Sequence, residues 1–143
     1  MKEVGQILAL FSKKETHQQH NTLYLDLHGI QGDKHYGKNS ERSILITSLE
    51  SYQLTSQVYN ISMPYGYLGE NILMSYNPYH LPAGSQLQIG EVVLEITQNC
   101  TLCNHLAVLD KRLPKLLQHN RGIFAKVIKE GKITTKDTVF LLP

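Results

Sequence analysis

Residues 91–98 read EVVLEITQ, and their alternation decides the class of fold. Val92, Leu94 and Ile96 fall on one face, the period-2 pattern of a half-buried strand. Working outward, SQLQIG (85–90) and ENILMS (70–75) read as strands too, and VGQILALF (4–11) opens the chain as another. TLYLDLHGI (22–30) sets Leu23, Leu25 and Leu27 against Tyr24, Asp26 and His28, and RSILIT (42–47) is a short apolar run suited to a buried strand. Downstream, RGIFAKVIKEGKITTKDTVFLLP (121–143) is expected as two strands around a glycine-containing turn at Glu130–Lys132. Helical spacing occurs twice. TSLESYQLTSQV (47–58) has Thr47 and Glu50 at capping-box spacing, with Leu49 and Tyr52 starting a stripe. The segment His105–Asn120 carries Leu106, Leu109, Leu113, Leu116 and Leu117, with Pro114 expected to break it into two short helices. Many short strands with two brief helical regions predict a mainly β protein, a closed or nearly closed β-barrel with short peripheral α-helices.

Composition bounds the function. The 143 residues, 41% of them hydrophobic, predict a single domain over 1–143 with its own core. A formal charge of +2 from 14 basic and 12 acidic residues is too balanced to predict a nucleic-acid or membrane surface. No apolar run reaches the roughly 20 residues that span a bilayer, and MKEVGQILALFSKKE lacks a cleavable leader pattern. A cytoplasmic location is expected. In that reducing compartment the two cysteines, Cys100 and Cys103, are not expected as a structural disulfide.

Three clusters hold polar and glycine residues that strand alternation does not require. In HGIQGDKHYG (28–37), Gly29 and Gly32 precede Asp33 and His35, but the spacing matches neither phosphate-loop pattern. The structural reading is a turn in which Asp33 binds backbone amides and His35 is exposed. In YGYLGENIL (65–73), Glu70 and Asn71 follow a turn between Gly66 and Gly69, positioned to hold either a loop or a polar heterocycle. In ITQNCTLCNHL (96–106), Cys100-x-x-Cys103-x-His105 offers three ligands where a closed zinc site takes four. A dithiol pair, a single thiolate serving a cofactor-borne metal and an inert buried thiol all remain open. Arg42 and Arg121, each beside a strand start, have the fork geometry that suits phosphate.

Taken in order, these clusters resemble the MOSC domain, the module named after the C-terminal domain of molybdenum cofactor sulfurase. The resemblance is carried by Gly29-Ile30-x-Gly32-Asp33-x-His35-x-Gly37, Arg42, Gly66-x-Leu68-Gly69-Glu70-Asn71, Leu81-Pro82-x-Gly84, Val93 to Gln98 leading to Cys103, and Arg121-Gly122-Ile123-Phe124-Ala125. It implies a barrel that binds molybdenum cofactor, a pterin with a phosphate and a dithiolene-held metal. The family's cysteine falls on Cys103, implicated as a sulfur carrier or as a ligand of molybdenum, which makes Cys100 a bystander. Gly32, Asp33, His35, Arg42, Glu70, Asn71 and Arg121 are the expected cofactor-binding residues, gathered at a barrel mouth. The chain departs from the family's P-R-x-P-C arrangement, reading Asn99-Cys100-Thr101-Leu102 before Cys103.

The resemblance implies sulfur transfer to the cofactor, or molybdenum-dependent reduction of N-hydroxylated compounds with a separate electron donor or a cofactor-pathway enzyme as partner. The alternatives are a non-catalytic cofactor carrier or insertion factor, and a small barrel whose Cys100, Cys103 and His105 form a zinc or dithiol redox site.

Overall fold

The computed structural model comprises residues 1–143 and describes all of them except 102–104. Its strands are β1 (Lys2–Lys13), β2 (His17–His20), β3 (Thr22–Asp26), β4 (Gly29–Ile30), β5 (Ile44–Ser48), β6 (Ile72–Met74), β7 (Gln86–Ile89), β8 (Val92–Asn99), β9 (Ile123–Lys129), β10 (Gly131–Thr134) and β11 (Thr138–Leu141). The helices are α1 (Leu49–Tyr59), α2 (Leu106–Leu109) and α3 (Leu113–Leu116), with a 3-10 turn at Ser40–Arg42. Seven strands close a barrel in the order β1–β11–β7–β8–β9–β5–β6 and back to β1. Every pairing in that ring is antiparallel except β5–β6, whose parallel register needs the crossover that α1 supplies. β10, β3 and β4 form a separate three-stranded sheet.

Alternation fills the barrel. Ile44 and Ile46 of β5, Val92, Leu94 and Ile96 of β8, and Ile123, Ala125 and Val127 of β9 all face one interior cluster. Ile7 and Leu10 face it too, although they lie three apart, because a bulge between Ile7 and Ala9 sets two residues of β1 against one of β6. On the outside, Ala9, Phe11 and Leu73 pack against Tyr52, Leu106, Leu113 and Leu117 from the helices.

Four local expectations change. Leu27 is 57% exposed, because the Asp26 carboxylate accepts the His28 amide at 2.8 Å and turns the chain into β4. The cap of α1 is Ser48, whose hydroxyl accepts the Glu50 amide; Thr47 instead turns its hydroxyl to Glu70. Pro114 sits in the first turn of α3, where it lacks nothing the helix uses, and the break falls upstream at Asp110, the extended C-cap of α2. The C-terminal segment makes three strands, not a hairpin: β10 leaves β9 and pairs with β3, placing Gly131 opposite Leu25.

Candidate functional site

β5 and β9 pair Leu45 with Phe124, and since Ile44 and Ile46 point inward, this pair faces out of the barrel wall. Over it lies a cleft of about 410 Å³, lined by His35, Lys38, Asn39, Arg42, Leu45, Leu68, Gly69, Asn71, Cys100 and Phe124. The site therefore stands on the barrel's flank, not at a mouth. Three loops build it. The 31–39 loop folds through consecutive turns, Tyr36 N–H to Asp33 C=O at 3.1 Å and Lys38 N–H to His35 C=O at 3.2 Å, which set His35 and Lys38 toward one wall. The 3-10 turn carries Arg42, with Asn39 capping it by accepting the Glu41 amide at 3.1 Å. The third loop, 65–71, brings Leu68 and Gly69.

The electrostatics are one-sided. The Arg42 guanidinium lies over the Phe124 ring, 4.7 Å from its centroid. Glu41, its chain neighbour, turns away to Lys126 at 3.4 Å, which also meets Glu95 at 3.5 Å. Among the described residues no carboxylate pairs with Arg42 or Lys38, and none lines the cleft. Burial holds the His35 imidazole below its usual pKa; Asp33 opposes this, and Lys34, Lys38 and Lys13 reinforce it. The wall thus offers one guanidinium, one ammonium, an imidazole and the side chain of Asn39 over an aromatic floor, a set that suits an anionic group joined to a flat ring.

The expected residues divide. His35, Arg42 and Asn71 line the cleft; Gly32, Asp33, Glu70 and Arg121 are not part of its wall. Asp33 is buried, with Oδ1 accepting the Lys13 amide at 2.7 Å and Oδ2 the His35 amide at 2.9 Å. Asn71 accepts the Leu45 amide at 2.9 Å and donates to the Phe11 carbonyl at 3.3 Å, tying β1 to β5. Glu70 is fully buried; its Oε2 accepts the Thr47 hydroxyl at 2.6 Å and the Tyr52 phenol, while Oε1 has no hydrogen-bond partner among the described residues. Burial first, and the Glu70 charge second, push the Tyr52 phenol far above its usual pKa, so it remains a donor. Gly32 is exposed at φ +86°, with open space where a Cβ would stand.

The cysteine segment is anchored at both ends. The Cys100 amide donates to Gly122 at 2.9 Å, and the Arg121 guanidinium donates to the carbonyls of Thr101 at 2.6 Å and Pro114 at 3.3 Å. On the far side, the Tyr67 phenol donates to the His105 carbonyl at 2.9 Å and His105 Nε2–H donates back to the Tyr67 carbonyl. Cys103 itself lies outside the described residues. Cys100 is buried and contributes to the cleft wall. Among the described residues no group of three His, Cys, Asp or Glu side chains stands together as a metal site.

Sequence reasoning missed Lys38, Asn39 and Phe124 as cleft residues, and it set Cys100 aside. Phe124 was legible in principle: it pairs with Leu45 across β5–β9, between inward-facing neighbours. Lys38 carries no local signal, because only the turns of the 31–39 loop bring it beside Arg42.

Comparison with known proteins adds family and fold. The family model described as MOSC domain matches residues 31–140. The structure is similar to the YuaD protein from Bacillus subtilis at a TM-score of 0.82 and 19% identity, covering 95% of this chain and 94% of that one. It is also similar to YiiM from Escherichia coli (TM-score 0.73, 18% identity, 100% of this chain and 70% of that one). YiiM from Geobacillus stearothermophilus gives a TM-score of 0.68 at 17% identity, with 99% and 75% covered. At these identities the likeness is one of fold. No curated protein matches the chain by sequence.

Proposed function

From the premise that the chain belongs to the MOSC domain family, we propose that its flank cleft binds molybdenum cofactor, with Cys103 presenting a thiolate to the metal. One observation carries the reading: a cleft of about 410 Å³ whose wall holds Arg42 and Lys38, without carboxylate partners among the described residues, over an aromatic floor, with Cys100 three residues before Cys103. The residues present fit the pterin's phosphate end. Arg42 and Lys38 would hold the phosphate and Asn39 would hydrogen-bond to it, while Phe124 beneath keeps the guanidinium from folding away. Asn71 and Gly69 offer polar and backbone groups to the ring system. Asp33 and Glu70 act one step back, by fixing the loops that carry His35 and Asn71. When bound, the cofactor would supply a metal able to accept electrons for reduction of an N-hydroxylated compound, or to receive a sulfur atom. A soft thiolate suits such a sulfur-rich centre. In the reducing role the electrons come from a separate donor; in the sulfur role Cys103 carries the persulfide.

The test is elemental analysis after expression in a cofactor-competent host, for molybdenum, tungsten and zinc. Molybdenum near stoichiometric in wild type and Cys100→Ser, and lost in Cys103→Ser, is the expected result. Stoichiometric zinc that disappears with either cysteine overturns it and favours the zinc site.

A further inference from the structure

Two arginines carry the fork that suits an anion, and the fold uses them differently. Arg42 stands in the cleft wall over Phe124, whereas Arg121 does not line the cleft. Its guanidinium is turned to two main-chain carbonyls, Nη1–H donating to Thr101 at 2.6 Å and Nη2–H to Pro114 at 3.3 Å. Nε is buried and meets no acceptor among the described residues. A cation kept only for surface charge would leave that N–H in water, since a buried donor without a partner is costly. The two carbonyls therefore set where the guanidinium lies. Its chain neighbours hold the same region. The Gly122 carbonyl accepts the Cys100 amide at 2.9 Å, and a Cβ on Gly122 would stand 2.8 Å from Cδ1 of Leu45, a residue that lines the cleft. The Asn120 amide donates to the Leu117 carbonyl at 2.9 Å, and the Asn120 carbonyl accepts the Ser51 hydroxyl of α1. Asn120-Arg121-Gly122 thus joins Leu45, α1 and α3 to the main chain at Cys100 and Thr101.

Thr101 comes two residues before Cys103, and each residue adds at most about 3.8 Å between Cα atoms. We infer that Arg121 is a positioning residue: it fixes the main chain that brings the Cys103 thiolate to the cleft, and it is not a ligand of the phosphate. The inference rests on the proposed reading of Cys103 as the thiolate that faces the metal. Fork geometry is what this task requires. One guanidinium holds the Thr101 carbonyl and the Pro114 carbonyl of α3 at once, so the cysteine segment is fixed against α3 as well as against β9. A lysine ammonium, a point charge on a flexible stem, would keep the charge without the fork. The two arginines accordingly serve one site in two ways. Arg42 is placed to meet a ligand, and Arg121 holds the chain that presents the thiol.

The test compares Arg121→Gln and Arg121→Lys with wild type and Cys103→Ser, all as the full chain from a cofactor-competent host. In the cofactor-free proteins, sulfate affinity reads the cleft wall apart from the cysteine, and both Arg121 variants are expected within about twofold of wild type. Loss of molybdenum on dialysis, followed by elemental analysis, should quicken about tenfold in Arg121→Gln, the low end of what removing a residue that braces a metal ligand costs. Arg121→Lys should fall between the two. X-ray absorption at the molybdenum edge gives a reading that stability alone does not move. Wild type should show three sulfur ligands, two from the dithiolene and one from Cys103, and Arg121→Gln a mixture approaching two. Wild-type retention with three sulfurs in Arg121→Gln overturns the inference. So does a sulfate affinity that falls about tenfold along with the metal, because Arg121 then shapes the cleft wall itself. If Arg121→Gln does not fold, Arg121→Lys decides on the same measures. Molybdenum kept by Cys103→Ser, or absent from wild type, sinks the reading of Cys103 and takes this role with it, a result the Arg121 variants cannot produce.

Discussion

Two layers of the candidate site, one beneath the loops and one in the cleft wall, treat charge in opposite ways. Asp33, Glu70 and Asn71 are buried beneath the loops, their polar atoms directed at backbone amides, a carbonyl, a hydroxyl and a phenol. His35, Lys38 and Arg42 stand exposed in the cleft wall, and among the described residues neither Lys38 nor Arg42 meets a carboxylate. The same motif feeds both, Asp33 inward and His35 outward. The polar residues of these motifs thus divide: buried acceptors fix the loop shape, while the exposed cations of the cleft wall meet no carboxylate among the described residues.

Glu70→Ala is the hardest blow to the buried side. It strands two hydroxyls in a fully buried site, and a loss of about 3 kcal/mol is expected in urea unfolding. The same experiment on Arg42→Ala should change the unfolding free energy by no more than about 0.5 kcal/mol. Sulfate affinity of Arg42→Ala should instead fall about tenfold, as loss of a charge-assisted fork demands. If Arg42→Ala lowers the unfolding free energy as much as Glu70→Ala while the folded variant keeps wild-type sulfate affinity, the division between the regions is wrong.

Tyr67→Phe sharpens the boundary between them. Removing the phenol that holds the His105 carbonyl should cost about 1 kcal/mol. Amide exchange at His105 should quicken while sulfate affinity stays put, since Tyr67 is a clasp and not part of the wall. The smallest effect belongs to His35. Burial and three lysines hold its pKa below the usual value, so it is mostly neutral at pH 7. Bound sulfate favours the charged ring; affinity should therefore rise severalfold as pH falls below about 6.5. Sulfate itself does not titrate in that range, and His35→Gln should flatten the profile.

Much of the fold was legible because strand alternation is a local signal. EVVLEITQ put Val92, Leu94 and Ile96 inward, as they are. The errors arose where a distant partner outweighs local pattern. Leu27 kept the alternation but not the strand, since Asp26 turns the chain. KEGK looked like a hairpin, but Gly131 opposes Leu25 of β3, over a hundred residues away. In the 28–37 loop the turn chemistry is local: Asp33 accepts from backbone amides and His35 is exposed, as residue type alone predicts. The motifs fall in the loops that border the cleft without telling which residue of each lines it.

Residue type and order along the chain set the period of the strands, the apolar alternation of β8 and the likeness to the family. The flank position of the cleft over Leu45 and Phe124 and the sealing of Glu70 inside come instead from the tertiary structure. These are facts about loops whose course is set by long-range hydrogen bonds, such as Lys13 N–H to Asp33 and Leu45 N–H to Asn71, which no local pattern encodes.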